Sequence, residues 1–392
     1  MSAIDVRAVT TRRERSAFLR LPWRLYRGEG NWVAPLRFER RQFLDPRRNP
    51  FFEHAEVQLF LAWRDGRPVG RISAHIDRHL NEYHDNRWGL FGFFECEDDP
   101  LAARALLGAA ESWLRDRGRD RMVGPMDFTT NDECGLLIDG HERAPTILTP
   151  WQHPYYQRLL EHDGELEKAM DLLMWELRIQ GRDKVDPRIW RLADQVETRH
   201  GIVCRRFRKN DLDAEVTRFL EVYNAAWERH WGFVPLTETE VRHYAKQLKP
   251  VLDENWAYVA ERRDTGEVVG AALTLPDYNQ VLQRLNGRLL PFGWITVLRA
   301  RKRIDRVRVF ALGVKPDYQH TGIAARFYQM HFDAAERTPQ TSGELGWVLE
   351  NNRPMNRALE RMGASVVRRY RLYERGFDEL APDPPLAAAA PA

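Results

Sequence analysis

The chain has 392 residues, 43% of them hydrophobic, and its 60 basic and 57 acidic side chains leave a formal net charge of +3. This length exceeds one ordinary domain of roughly 100–200 residues, so we expect two domains. The apolar content excludes a mainly disordered chain, and the balanced charge gives no reason to expect a nucleic-acid partner. The three cysteines are far apart and form neither a disulfide framework nor a metal-ligand spacing, so no metal is expected.

The first residues lack the apolar core of a signal peptide, and no run of 18 apolar residues occurs. We therefore expect a cytoplasmic protein, either free or bound peripherally at the inner face of the membrane. The last segment, 380–392, has no amphipathic period and is predicted to be a disordered tail.

Two parts of the chain match each other at an offset of about 200 residues. Residues 57–77 and 257–277 each read as two apolar strands around a turn, at Asp65-Gly66 and Thr265-Gly266, that leads into Val-Gly. Residues 160–164 and 359–363 match at nearly the same offset. The alternative is that Asp-Gly hairpins are simply common. We predict two tandem domains, 1–198 and 199–379.

The second repeat shows the order of elements most clearly, and each repeat reads β-α-α-β-β-β-α-β-α-β. Its alternation of helices and strands predicts a mixed α/β fold around a central sheet. The predicted strands are 203–209, 256–261, 268–275, 307–314, 344–350 and 365–373, and the predicted helices are 214–229, 237–252, 322–336 and 354–362.

The segment 124–140 of the first repeat is rich in glycine and in Asn and Asp, and we expect a loop there. Loops between repeated elements often carry ligand contacts, so Asn131, Asp132 or Glu133 could bind a cationic amine. The alternative is a turn-rich connection whose carboxylates are satisfied internally.

Residues 309–328 carry the strongest motif. A buried strand ends at Pro316, a polar loop follows, and an amphipathic helix begins near Gly322. Helix N-terminal amides and the macrodipole favour an anion there, and the small Ala324 and Ala325 leave room for it. The pattern predicts a cradle for a diphosphate; the alternative is a tight turn without a ligand.

The run Gln319-His320-Thr321-Gly322-Ile323-Ala324 resembles the Gln/Arg-x-x-Gly-x-Gly/Ala signature of the GCN5-related N-acetyltransferase (GNAT) superfamily. The resemblance implies that the amides of this loop hold the pyrophosphate of acyl-CoA. It also implies that Leu312, Gly313 and Val314 pair with the pantetheine arm. Two tandem acetyltransferase-like domains are then expected.

A second element of the family follows the strand 345–349, where Asn352 and Gly363 fit its pattern and Asn352 would help to hold the cofactor. Leu359 stands where the family often has a tyrosine that protonates the leaving thiolate. Water, Tyr328 or Tyr370 could replace it, although Tyr328 could equally be packing.

N-acylation needs a neutral amine, so a base must take its proton. Glu350, at the end of the strand, is the predicted base; the alternative is a solvated charge or a carboxylate at a helix N-terminus. No cysteine lies near the motif, which favours direct attack by the amine.

The first repeat has lost the cradle. Its matching loop is Glu97-Asp98-Asp99-Pro100, in which Asp98 or Asp99 would cap the next helix and repel a diphosphate. We therefore expect a degenerate N-terminal domain and one active site, in the second repeat.

The stretch 284–303 combines apolar residues with a cationic end. It suits an interfacial membrane segment. Alternatives are a lid over a long acyl chain, contact of residues 301–303 with the 3′-phosphate of CoA, and a packed segment with a solvated basic end.

These features predict an acyl-CoA-dependent N-acyltransferase acting on a small-molecule or lipidic amine of the sphingoid type. The two-domain arrangement also looks like that of protein N-myristoyltransferases and, more loosely, of bacterial ceramide synthases. Two alternatives stay open: a tandem-domain transferase that uses aminoacyl-tRNA, and a non-catalytic acyl-CoA sensor or scaffold.

Overall fold

A computed structural model describes residues 3–178, 183, 185–228 and 230–377 of the chain. The predicted tail at 380–392 lies outside these residues. Each half follows the predicted order of elements, with α3 and β6 added in the first half and α6, α9 and α10 in the second.

The elements of the first half are β1 (Asp5–Ala8), α1 (Arg12–Leu25), α2 (Arg37–Phe43), β2 (Ala55–Arg64), β3 (Arg67–Asp77), α3 (Arg78–His84), β4 (Trp88–Cys96), α4 (Pro100–Arg115), β5 (Arg121–Gly124), β6 (Leu136–Asp139), α5 (Tyr155–Glu161) and β7 (Glu167–Arg178). Those of the second half are α6 (Pro187–His200), β8 (Ile202–Arg206), α7 (Leu212–Trp227), α8 (Glu238–Leu248), β9 (Ala257–Arg262), β10 (Val268–Pro276), α9 (Asn279–Leu282), α10 (Gly293–Ala300), β11 (Arg306–Val314), α11 (Ile323–Ala335), β12 (Ser342–Leu349), α12 (Arg353–Arg361) and β13 (Ser365–Gly376).

The strands form one 13-stranded sheet in the order β1-β2-β3-β4-β5-β13-β7-β12-β11-β10-β9-β8, with β6 pairing β13 beside this path. The two halves exchange their last strands. The first half's β7 pairs with β12, and the second half's β13 pairs with β5. The boundary predicted at residue 198 falls inside α6, which packs through Val196 into the core of the second half. The mixed α/β fold is confirmed.

Equivalent glycines place equivalent helices on the two halves of the sheet. A Cβ added to Gly70 on β3 would lie 2.6 Å from the Leu106 side chain of α4. A Cβ added to Gly270 on β10 would lie 2.9 Å from that of Ile323, at the start of α11. The repeated Val-Gly step therefore lets one helix approach the sheet closely in each half.

Buried polar groups join the two halves. The Glu344 carboxylate on β12 accepts a hydrogen bond from Thr146 of the first half (3.1 Å) and pairs with Arg368 of β13. The His54 imidazole lies between Asp77 (2.9 Å) and Glu240 of α8 (3.1 Å). These contacts hold α8 against the first half and the segment around residue 146 against β12.

Among the described residues, no helix is both long enough and apolar enough to cross a bilayer.

Candidate active site

A cavity of about 880 Å³ lies between the two halves. Helices α1 and α2 and the segments 125–135 and 145–152 line one side, and α7, α8 and parts of β10 and β11 line the other. Its volume falls within the range of roughly 300–1,000 Å³ that is usual for small-molecule sites. The apolar side chains that line it include Trp23, Trp32, Phe38, Phe43, Phe207, Val216, Phe219, Leu220, Leu248, Leu252, Leu273 and Phe310.

Three carboxylates from the segment 125–135 also line this cavity. The segment folds back on itself, because the Asp127 amide donates to the Glu133 carbonyl (2.8 Å) and Met126 forms an antiparallel bridge with Cys134. This turn brings Asp127, Asp132 and Glu133 together.

Asp132 receives hydrogen bonds from both halves of the protein. Its carboxylate accepts from the Thr129 hydroxyl (3.1 Å) and from the Tyr244 hydroxyl of α8 (3.0 Å). Burial raises the pKa of Asp132 to about 7. A carboxylate with this pKa can exchange a proton near neutral pH.

Residues beside Asp132 fix its position. The Asn131 side-chain oxygen accepts a hydrogen bond from the Tyr223 hydroxyl of α7. The Thr130 hydroxyl donates to the Gly232 carbonyl (2.9 Å). The acidic segment of the first half is thus held against α7 and the chain that follows it.

Arg40 of α2 lies between the other two carboxylates, paired with Glu133 and 3.4 Å from Asp127. Asp127 also accepts a hydrogen bond from the Phe93 amide (2.8 Å). Burial nevertheless raises the pKa of Asp127 to about 6, against the lowering effect of Arg40.

A fourth carboxylate, Glu95 on β4, lines the same cavity. It accepts hydrogen bonds from the hydroxyls of Tyr26 (2.5 Å) and Tyr156 (2.9 Å) and lies 3.6 Å from Arg71. Burial raises the pKa of Glu95 to about 7. The guanidinium groups of Arg40 and Arg71 lie beside these four carboxylates, and Glu39, Arg48 and Lys246 also line the cavity. Acidic and basic groups are therefore nearly balanced in the lining as a whole, and three of the carboxylates come from the segment 125–135.

The predicted cofactor strand opens from the sheet at the same cavity. Parallel β11 and β12 pair only from Arg306/Ser342 to Val309/Leu345. Phe310, the next residue of β11, lines the cavity. Leu312, Gly313 and Val314 pair with β10 alone, which leaves the other edge of their backbone free of β12.

The predicted cradle has the local geometry of an anion site. Residues 316–321 form a 3₁₀ turn, Gly322 is left-handed (φ 87°), and α11 begins at Ile323 without a side-chain cap. The amides of Ile323 and Ala324 lie in the first helical turn, where no intrahelical acceptor exists. Gln319, by contrast, turns its side chain back to the Val314 carbonyl (3.4 Å).

Packing alone can explain why glycine stands at positions 313 and 322, without any ligand. A Cβ on Gly322 would lie 3.0 Å from the Leu192 carbonyl of α6, and one on Gly313 would lie 2.3 Å from the Trp227 ring. The same helix places His200 beside His320, with ring centroids 6.2 Å apart. Thr321 is buried and donates its hydroxyl hydrogen bond to the Tyr318 carbonyl.

The remaining predicted residues lie outside the lining of the large cavity. Glu350 pairs with Lys168 (2.7 Å) and accepts a hydrogen bond from the Asp171 amide (3.1 Å). Asn352 caps α12 by accepting from the Met355 amide (3.3 Å). Tyr328 points at the Met355 sulfur (3.6 Å), and burial raises its pKa to about 12. Glu350 as base and Tyr328 as acid stay predictions.

The first half differs at the equivalent positions, as expected. Asp99 caps α4 by accepting from the Leu101 amide (3.1 Å), and it also pairs with Arg64 (2.6 Å). The gap between β4 and β5 is filled, because a Cβ on Gly92 would lie 1.7 Å from the Met126 carbonyl oxygen. In the first half, the backbone at Met126 therefore occupies the space beside β4 that corresponds to the open space beside β11 in the second half.

Sequence reasoning found the acidic segment but missed Asp127, Arg40, Glu95, Tyr223 and Tyr244. Their partners are 69–112 residues away in three of the contacts, Tyr26 with Glu95, Tyr223 with Asn131 and Tyr244 with Asp132. The only local signal was the Phe-Thr-Thr-Asn-Asp-Glu run itself.

No family model matches the chain, but two individual relatives show the family to which it belongs. It is 38% identical over 381 residues to the bacterial ceramide synthase of Caulobacter vibrioides, covering 95% of this chain and 98% of that protein. It is 35% identical over 379 residues to protein YghO of Escherichia coli, covering 94% and 95%.

Solved structures agree on the fold. A tandem GNAT protein of the clavulanic acid biosynthesis pathway matches with a TM-score of 0.56 and 12% identity, over 95% of this chain and 98% of that one. A GCN5-related N-acetyltransferase of Sphaerobacter thermophilus matches with a TM-score of 0.51 and 16% identity, over 95% of both chains. The chain therefore has the tandem GNAT fold and belongs to the acyltransferase family that includes the bacterial ceramide synthase of Caulobacter vibrioides.

Proposed function

We propose that this protein transfers an acyl group from a CoA thioester to the amino group of a long-chain lipidic amine of the sphingoid type. One observation carries the proposal: a large apolar cavity contains a cluster of half-buried carboxylates and reaches the point where β11 leaves β12. An apolar lining suits a hydrocarbon chain, and the carboxylates suit an ammonium group. The name of the Caulobacter relative points to the same class of acceptor.

The turn 316–322 and the first amides of α11 fit the diphosphate of CoA, and the free edge of Leu312–Val314 fits the amide groups of its pantetheine arm. Both groups lie on the chain that follows Phe310, so a thioester held along this edge would meet the cavity at Phe310.

The reaction forms one bond and breaks one. The neutral amine nitrogen attacks the thioester carbonyl carbon, the carbon–sulfur bond breaks, and the sulfur leaves with its electron pair as the CoA thiolate. One proton passes from the amine to a base, and the thiolate takes up a proton to give free CoA.

Two carboxylates compete for the role of base. Asp132 lies in the cavity with a pKa raised to about 7, so its carboxylate can take the proton near neutral pH. Glu350, the base predicted from the sequence, lies in an ion pair with Lys168. Position favours Asp132.

The test is a turnover assay with the full chain. Purified protein is incubated with palmitoyl-CoA or acetyl-CoA and with sphinganine, a long unbranched alkylamine or a short alkylamine. Release of CoA thiol and formation of the amide are both measured. We expect amide formation with the long amines and little with the short one.

Three other results of this assay would change the proposed function. Binding of acyl-CoA without amide formation would support the sensor alternative, and turnover with aminoacyl-tRNA in place of acyl-CoA would support the tRNA-dependent alternative. Equal rates with long and short amines would overturn the lipidic acceptor.

A further inference from the structure

Five large apolar side chains are exposed at the mouth of the cavity. Leu290 and Phe292 are 75% and 73% exposed, and Trp294 and Leu298 of α10 and Phe38 of α2 are each close to half exposed. We name these five residues the mouth patch. Exposed apolar side chains of this size cost free energy in water, so a group of them marks a contact surface.

The mouth patch is continuous with the cavity lining. Phe38 belongs to both, and Leu289 and Val297, which directly precede the patch residues Leu290 and Leu298 along the chain, also line the cavity. A ligand with a long hydrocarbon chain would therefore pass from the patch into the cavity without leaving an apolar surface.

Both halves of the protein hold the patch in place. The Arg37 amide next to Phe38 donates to the Gly287 carbonyl (3.1 Å), and the Trp23 ring nitrogen donates to the Asn286 carbonyl (3.2 Å). A Cβ on Gly287 would lie 2.8 Å from the Trp23 ring. The mouth is thus built on contacts across the interface of the two halves.

The surroundings of the patch are cationic. The stretch 284–303 contains six Arg or Lys residues and no acidic residue, and all six side chains are exposed. Within the described part of the chain, none of the six lies in an ion pair with a carboxylate. The pKa of Arg37 is lowered by partial burial and by the charges of Arg288 and Arg20, which shows that several positive charges meet here.

We propose that the mouth patch inserts into the surface of a bilayer rich in anionic lipid, so that a lipidic amine enters the cavity directly from the membrane. Aromatic and aliphatic side chains with flanking cations are the combination that binds such surfaces. Anionic headgroups complement the six cations, whereas a second copy of this chain would oppose them with like charge. The route of entry rests on the proposed function; the membrane contact does not.

The test measures binding without any substrate. The full chain is floated through a density gradient with vesicles of phosphatidylcholine alone or of phosphatidylcholine mixed with phosphatidylglycerol. We expect flotation with the anionic vesicles and at least about tenfold weaker binding to neutral ones. The double variant Leu290→Ser/Phe292→Ser and the triple variant Arg299→Gln/Arg301→Gln/Lys302→Gln should each bind anionic vesicles at least about tenfold more weakly than the unchanged chain.

Leu192→Ser is the matched control, because Leu192 is 50% exposed but lies on α6, away from the mouth. It should float like the unchanged chain. The proposal would be overturned if the unchanged chain did not float with the vesicles, or if the double and triple variants floated as well as the unchanged chain. A dimer in light scattering that dissociates in the Leu290→Ser/Phe292→Ser variant would also overturn it. Flotation without amide formation in the turnover assay would keep the membrane contact and reject the proposed function alone.

Discussion

Replacing Asp132 by asparagine should stabilise the protein and inactivate it. Burial raises the pKa of Asp132 from 3.8 to about 7. At 1.36 kcal/mol per pKa unit, ionising this group in the folded state costs about 4 kcal/mol. Asparagine keeps the side-chain oxygen that accepts the Tyr244 hydrogen bond but carries no charge to bury.

The direction in which this stability difference changes with pH follows from proton linkage. Because the folded pKa lies above the unfolded one, the penalty is absent below about pH 4, grows as the pH rises, and is complete above about pH 7. We therefore expect the advantage of Asp132→Asn in urea unfolding to grow between about pH 5 and about pH 8, by up to about 3 kcal/mol. Asp139→Asn, an exposed site on β6, should show no such trend.

The same variant tests catalysis. As the base, ionised Asp132 should give a rate that rises with pH up to about pH 7, and Asp132→Asn should lower the rate of CoA release by on the order of 10²–10⁴ and remove this rise. A variant that keeps both the rate and the pH profile would refute the role of Asp132, and loss of activity in Glu350→Gln instead would support the base predicted from the sequence. A stability difference independent of pH would show that the Asp132 carboxylate is not desolvated.

Three further changes test the site and its supports. Val216 on α7 lines the cavity, and the larger side chain of Val216→Trp would fill part of it. The rate with a long-chain amine should therefore fall at least about tenfold more than the rate with a short one. Equal losses would contradict a role of the cavity in binding the chain. Ala324→Glu places a carboxylate in the first turn of α11, where it repels a diphosphate, so the Kd for acyl-CoA should rise about tenfold or more in calorimetry. An unchanged Kd would move the CoA site elsewhere. Burial lowers the pKa of His54, but its hydrogen bonds to Asp77 and Glu240 raise it more, to about 9. The stabilisation by protonated His54 is therefore complete below about pH 6.5 and is lost as the pH rises through about 9. His54→Gln should flatten the pH dependence of the free energy of unfolding over this interval, and an unchanged slope would contradict the stabilising role of these two hydrogen bonds.

Gly322 is a poor site for testing the cofactor, although it is the centre of the motif. Its left-handed backbone and the Leu192 carbonyl 3.0 Å from an added Cβ mean that a side chain there would strain the turn and displace α6. Loss of acyl-CoA binding in such a variant would not separate a lost cradle from a lost helix contact.

Local sequence patterns were enough to predict most of the helices and strands and their order. Periodicity and turn residues are local properties, so the hairpins at Gly66 and Gly266, the cap at Asp99 and the strand-turn-helix at Gly322 could be recognised within short windows. The offset of 200 residues showed that the order occurs twice.

The order of the strands and the surroundings of each carboxylate depend on contacts between distant parts of the chain. The exchange of β7 and β13 depends on pairing between residues that are 164–177 apart for β7 with β12 and 249–255 apart for β13 with β5. Backbone N–H and C=O groups are the same at nearly every residue, so they do not identify the partner strand in the sequence. The sequence predicts Glu350 as the base and Asp132 as a possible contact to a cationic amine, and for each it leaves a solvated or internally satisfied carboxylate as the alternative. Folding places Asp132 beside Tyr244 inside the cavity and Glu350 in an ion pair with Lys168. A pKa is set by burial and by neighbours that folding brings from far along the chain, so neither environment could be predicted from the sequence.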